Sequence, residues 1–258
     1  MPSRAAAARR PYTAPPPITT APMPSPVRLD KHLAALLPCS RGEAQQYIEG
    51  GWVSVDGVVV EEPQTPITAQ QVTLAPDAQL GPAQAVTLLL HKPAGMRAED
   101  ALALATPGNR SALDASDMRV LKRHFLRLSL PLPLESEASG LLVLSQDRRV
   151  LRRLSEDAAT LEQEFVVEVS GTLQPYGLHR LAHGLRHGQR TLPPCKVSWQ
   201  SEQRLRFAIK HVQPGQLHDM CAQVGLEVTG LRRLRIGRIP LGKLAPGEWR
   251  YLPEGERF

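Results

Sequence analysis

Between Val27 and Leu37 the apolar residues fall at 29, 33, 36 and 37, the spacing of one helix face. Pro38 and Cys39 interrupt that pattern. Ser40-Arg41-Gly42-Glu43 then has the form of a capping box, in which the Ser40 hydroxyl and Glu43 carboxylate satisfy orphan amides reciprocally. It predicts a second helix running through Ala44, Tyr47 and Ile48 to a stop at Gly50-Gly51. Trp52-Val53-Ser54-Val55 alternates as a strand, Asp56-Gly57 signals a type I′ turn, and Val58-Val59-Val60 forms the return strand. A last strand around Gln71–Leu74 completes a helix-helix-hairpin unit.

Beyond residue 76 the pattern changes to strands mixed with short helices. Val86–Leu90 is a continuous apolar run ending in His91-Lys92-Pro93-Ala94-Gly95, a buried strand entering a turn. Residues 97–134 read as loop, with a basic stretch from Arg119 to Arg127. Gly140–Leu144 predicts a second strand, and a basic helix follows at Val150–Leu154. Phe165–Val169 alternates as a strand, and Leu178–Leu185 fits a short helix. Further strands are predicted near Cys195–Trp199, Leu205–Lys210 and Leu231–Ile236, with a helix over Gln216–Val224. These elements suggest an α+β chain whose larger part is a mixed, largely antiparallel sheet with helices packed on it.

Of the 258 residues, 42% are hydrophobic, enough for a packed core. No apolar run is long enough to cross a membrane. The three cysteines, Cys39, Cys195 and Cys221, include no Cys-x-x-Cys pair, which fits a reducing, cytoplasmic setting. The formal charge of +6 is unevenly placed. Residues 1–26 hold three arginines, no acid and eight prolines, a composition expected to stay disordered. An organelle transit peptide is also Arg-rich and acid-free, but the prolines oppose the amphipathic helix it needs. Residues 27–75 carry −3 and residues 76–258 carry +6. A polyanionic partner is expected, and the larger domain must supply most of the attraction.

The first 50 residues after the tail carry a resemblance. Arg28-Leu29-Asp30-Lys31-x-Leu33, then Ser40-Arg41, then Ile48-x-x-Gly51-x-Val53-x-Val55-Asp56-Gly57 resembles the S-four-type RNA-binding module. The resemblance implies that Arg28, Lys31, Ser40 and Arg41 line an RNA-facing surface. Lys and Arg beside a hydroxyl at a helix start suit phosphate contact. On spacing alone, Arg28 and Lys31 serve equally well as solvated helix residues and Ser40 as a simple cap.

The remainder resembles the catalytic domain of bacterial ribosomal-RNA pseudouridine synthases that carry this module. The matching pieces are Lys92-Pro93-x-Gly95, Ser139–Asp147, Val167–Gly171, Leu231–Gly237, and Leu241-Gly242-x-Leu244-x-Pro246-Gly247-Glu248-Trp249-Arg250. The resemblance implies domains at 27–75 and 76–258, an RNA cleft across the sheet, and a monomer. It also implies isomerisation of uridine in ribosomal RNA without cofactor or metal. Such chemistry needs an ionised carboxylate against a flipped uridine. The family places an Asp five residues before the strand-opening glycine; here that position is Glu135, with Pro133 where the family has Arg. Glu137 is a second candidate carboxylate. The family's Lys-x-Tyr reads Gln163-Glu164-Phe165, so the ring can remain near the base without its hydroxyl. Its Arg-Gln-Val-Arg-Arg-Met reads Gly215-Gln216-Leu217-His218-Asp219-Met220, with no charge at the first position.

Glu135 is therefore the candidate catalytic residue, Phe165, Lys92 and Arg235 are candidates to contact substrate, and His218 or the 232–235 arginines could replace the basic partner. The basic clusters at 119–127, 148–153 and 232–238 read as RNA-cleft residues or as ordinary solvated faces. His179, His183 and His187 read as solvated surface, with no Cys or carboxylate nearby in sequence to complete a zinc set. Two functions follow: an RNA-binding protein on this scaffold with weak or lost catalysis, or an active synthase using Glu135.

Overall fold

The computed structural model describes residues 25–81, 84–183 and 185–258. The tail expected to be disordered lies almost wholly outside them. The chain divides into two compact units, one holding the described residues up to Ile48 with Trp52–Leu80, the other Glu49–Gly51 with Gly81–Phe258.

The smaller unit contains β1 (Val27–Arg28), α1 (Leu29–Leu36), α2 (Arg41–Glu49), β2 (Val53–Val55), β3 (Val58–Val59), β4 (Pro66–Ile67) and β5 (Val72–Leu74). The capping box forms in both directions: the Glu43 amide donates to Ser40 Oγ at 3.2 Å and the Ser40 amide to Glu43 Oε2 at 2.6 Å. The type I′ turn is also present, with φ of 49° at Asp56 and 82° at Gly57. Leu29, Leu33, Ala44, Ile48, Val53 and Ile67 close the core, with Leu37 packed against it, whereas Leu36 is exposed, so the helical stripe read from the sequence is buried except at that position. β2 is the central strand, flanked by β3 and β5. The β1–β4 pair was not predicted, because two-residue strands carry no periodicity.

The larger unit contains β6 (Thr87–Lys92), β7 (Ser139–Ser145), α3 (Arg148–Ser155), β8 (Glu162–Gly171), α4 (Gly177–Ala182), β9 (Arg186–His187), β10 (Arg190–Thr191), β11 (Lys196–Ser201), β12 (Arg204–Lys210), α5 (Gln216–Ala222), β13 (Leu226–Ile236), β14 (Ile239–Pro240) and β15 (Trp249–Tyr251). Its main sheet runs β11-β12-β8-β13-β7-β6-β15, with β14 paired to β13. All its pairings are antiparallel except β13 with β7, so the mixed, largely antiparallel expectation holds.

β6 and β7 read as unbroken apolar runs because both their faces are covered. On one face Leu88, Leu90, Leu142 and Leu144 join Phe165, Phe207, Leu181, Leu217 and Met220. On the other, Leu89, Leu141 and Val143 meet Leu154 of α3 with Ile236 and Ile239. The stretch read as loop holds three short 3-10 turns, Asp100–Leu104, Pro107–Asn109 and Lys122–Phe125.

The last of these turns buries His124, whose Nδ1 lies 2.7 Å from Tyr251 Oη. Burial pushes the imidazole down to about 4 from 6.5, with Arg123 adding to the effect. The unfolded chain therefore takes up a proton that the folded one refuses between those values. Stability is expected to fall by up to about 3 kcal/mol as pH drops from 6.5 to 4. Urea unfolding of the parent and His124→Asn at pH 7 and pH 4 checks this. The variant should lose clearly less on acidification; equal losses would place the acid sensitivity elsewhere.

Candidate functional site

Two buried cations shape the segment that leads into β7. Arg233 of β13 is almost wholly buried, and its guanidinium donates to the carbonyls of Leu141 (2.8 Å), Leu132 (3.0 Å) and Pro133 (3.3 Å) and to Gln163 Oε1 (3.2 Å). With no carboxylate to compensate, burial pushes its pKa down to about 9. Lys92 is equally buried, its ammonium donating to the carbonyls of Pro93 (2.9 Å), Met96 and Ser136 (3.0 Å). As folded, the Lys92 ammonium is engaged by main-chain carbonyls. It and Arg233 pin residues 132–136 from opposite ends.

Glu135 sits within the pinned segment. Its Oε1 accepts the Gly215 amide at 2.8 Å, just before α5, where Gly215 has φ of 73°. His218, in the first turn of α5, places Nδ1 3.6 Å from Glu135 Oε2. Of the alternatives open for a basic partner, the structure brings His218 to the carboxylate. Arg233 is committed to carbonyls. Arg235 is paired with Glu162 (2.7 Å) and Glu164 (3.1 Å), and the Glu162 hydrogen bond leads in raising its pKa.

Glu135, Glu137 and His218 place their ligating atoms within 4.8 Å of one another, the group among the described residues whose donors suit a divalent cation. Glu137 also lines a cleft of about 450 Å³ with Ser139, Gln200, Arg204 and Arg232. Arg204 is paired with Glu168 at 2.8 Å.

Phe165 does not face this cleft. Its ring is 2% exposed and packs in the core beneath α5, so as folded it offers no face to a base. The alternation that marked Phe165–Val169 as a strand put odd residues inward, and position 165 followed that register. His187 is not merely solvated: its Nδ1 lies 2.6 Å from Asp219 Oδ2.

In the smaller unit, Arg28, Lys31, Ser40 and Arg41 cluster where α1 and α2 begin. The residue that joins Arg28, Arg41 and the Lys31 amide is Asp30, which sequence reasoning passed over. It is fully buried, and five donors meet its carboxylate: Arg28 Nε and Nη2, Arg41 Nε, Gln45 Nε2 and the Lys31 amide. Burial alone would raise its pKa, but the bonds from Gln45, Arg28, Arg41 and Lys31 together hold it well below the usual carboxylate range. A single Asp in an Arg-Leu-Asp-Lys run at a helix start reads as a first-turn acid, and only the fold shows it facing inward. Ser40 is the helix cap already described.

Comparison with known proteins covers nearly all of this architecture. Residues 27–72 match the S4 domain family. An uncharacterized RNA pseudouridine synthase of Aquifex aeolicus is 26% identical over 233 residues, 89% of this chain and 94% of that protein. The ribosomal small subunit pseudouridine synthase A of Vibrio cholerae is 29% identical over 244 residues, 89% of this chain and 97% of its own length. A crystal structure of pseudouridylate synthase superposes with a TM-score of 0.56 at 21% identity, covering 88% of this chain and 96% of that one, and so shows the same fold.

The chain carries an S4 domain and is similar over most of its length to RNA pseudouridine synthases.

In this pseudouridine synthase relative, the carboxylate picked from sequence and the helix predicted at Gln216 do meet. What the sequence could not signal was the use of two buried cations as carbonyl anchors. Lys92 and Arg233 look like RNA contacts on any count of charge. No helix of the described residues is long and apolar enough to cross a membrane.

Proposed function

We propose that this protein binds structured RNA, ribosomal RNA foremost, through its S4 unit and the larger domain's cleft, with little or no uridine isomerisation. The observation that carries this reading is the state of Glu135. Its nearest cationic partner is an imidazole at 3.6 Å, and one of its oxygens is held by the Gly215 amide. A carboxylate that attacks or deprotonates a flipped uridine must be ionised and aimed at it. Displacement of a reacting group by about 1 Å can cost on the order of 100-fold in rate. The longer Glu side chain, tied to a main-chain amide, fits that loss. Phe165, Lys92 and Arg235, the groups expected at the base, are all engaged in packing or pairing. In this reading residues 27–75 anchor the RNA, and the domain from residue 76 holds it in the cleft beside Arg232.

The His218 contact favours one second reading, a slow synthase in which His218 is the basic partner that orients Glu135. Release of tritium from uridine labelled at carbon five of ribosomal RNA separates the two. The binding-only reading expects release at background, with RNA retained at low salt and lost steeply as salt rises. The second reading expects slow release that vanishes in Glu135→Gln and weakens in His218→Ala. Turnover with that profile would overturn the first reading. Failure to bind RNA at low salt would overturn both.

A further inference from the structure

Taking as given the reading that the S4 unit binds RNA, we propose that Asp30 is a positioning residue that holds Arg28 and Arg41 together as one phosphate-binding fork. Arg28 spends Nε and Nη2 on the Asp30 carboxylate, and Arg41 spends only Nε. Arg28 Nη1 and both terminal nitrogens of Arg41 make no other hydrogen bond among the described residues. The side chains are 45% and 54% exposed, whereas Asp30 is fully buried beneath them. Three N–H-bearing nitrogens from two guanidinium groups are thus left at the surface above one shared anchor. The exposed Lys31 lies next in sequence, and its amide is bonded to the same carboxylate.

Two features make this arrangement more than a surface ion pair. Neighbouring guanidinium groups repel unless an anion lies between them, and Asp30 supplies that anion from the protein side. A phosphate on the outer side would complete the same pattern, and planar forks suit its oxygens. The anchored side chains have also already given up the rotamer freedom that free surface arginines would lose on binding. Gln45 contributes a fourth side-chain bond to the carboxylate at 2.9 Å, so the anchor itself is fixed to α2. Asp30 also explains how a unit carrying −3 can present a cationic face. One of its acids is buried, and its charge is used from beneath to gather two arginines.

Charge counting and positioning make opposite predictions for Asp30→Asn. Removing an acid makes the unit more positive, so electrostatics alone predicts tighter RNA binding. Loss of the anchor predicts weaker binding. The test uses the full chain and a labelled transcript of bacterial small-subunit ribosomal RNA, titrated at several salt concentrations. Asp30→Asn is expected to weaken binding about tenfold, with a salt slope lower by about 1 as one phosphate contact is lost. Equal or tighter binding would overturn the proposal. In an Arg28→Ala/Arg41→Ala background, Asp30→Asn is expected to change affinity by less than about twofold. A full tenfold loss there would mean that Asp30 acts through the fold alone, and would overturn it too.

Should Asp30→Asn fail to fold, Arg28→Lys/Arg41→Lys provides the second measurement. It keeps both charges but has no fork, so it is expected to bind as weakly as the double alanine variant. Parental affinity would overturn the proposal. Parental protein that does not bind the transcript at low salt overturns the RNA-binding reading itself, an outcome distinct from all of these.

Discussion

Gly140→Ala is expected to destabilise the larger domain by about 4 kcal/mol or more, the largest single-residue effect anticipated in this protein. Gly140 has φ of +116°, a region that L side chains scarcely enter. A methyl group there would lie 2.3 Å from the Arg233 carbonyl oxygen and 2.6 Å from its amide nitrogen. Those are main-chain atoms of β13, fixed by pairing on both sides, so no flexible side chain can swing away to make room. The clash falls at the parallel β13–β7 junction, where Arg233 pairs with Gly140. Thermal and urea unfolding of the purified variant measure the effect. A loss below about 1 kcal/mol would show that the two strands can separate at little cost.

Arg233→Met is the second large effect, expected to cost about 3 kcal/mol. Methionine replaces much of the volume and removes a poorly compensated buried charge, a partial gain. It also leaves the Leu132, Pro133 and Leu141 carbonyls without the donor they now share, and each unmade buried hydrogen bond costs about 1–3 kcal/mol. The functional consequence is local. Residues 132–133 lose their anchor two positions before Glu135, so the Glu135–Gly215 hydrogen bond is expected to weaken. Hydrogen exchange at the Gly215 amide should speed up well beyond the change that global stability alone produces. Unchanged relative protection there would show that Lys92 suffices to hold the segment.

Both predictions concern residues whose importance was hard to see in the sequence. Gly140 and Arg233 stand in stretches that matched the family reading, but the reason for each lies in the other, 93 positions away. By contrast, the local signals were dependable. The Ser40–Glu43 capping box and the Asp56-Gly57 turn depend on neighbours within a few residues and appear where the pattern put them, and of the stripe at 29, 33, 36 and 37 all but Leu36 is buried or half-buried. The short β1–β4 and β9–β10 pairs were missed because two residues hold no periodic information.

The candidate site divides along the same line. Sequence counting found Glu135, and the helix pattern found the start of α5; that the two meet, with His218 facing the carboxylate, needed the fold. Phe165, Lys92, Arg235 and Arg28 were among the residues that the family resemblance suggested as contacts. Lys92 and Arg235 are paired with carbonyls and carboxylates, and Phe165 is core, whereas Arg28 keeps Nη1 at the surface. Residue type reports what a side chain can do, but burial and partners decide whether it is free to do it.

The sequence by itself thus determined the local elements and the likeness to S4-bearing pseudouridine synthases, because caps, turns and apolar periods act over a few residues and survive as patterns. The tertiary structure alone decided which cations anchor the backbone, which gather on Asp30, and which partner Glu135 finds. Those outcomes depend on desolvation and on groups tens of residues apart, and neither is written in any local spacing.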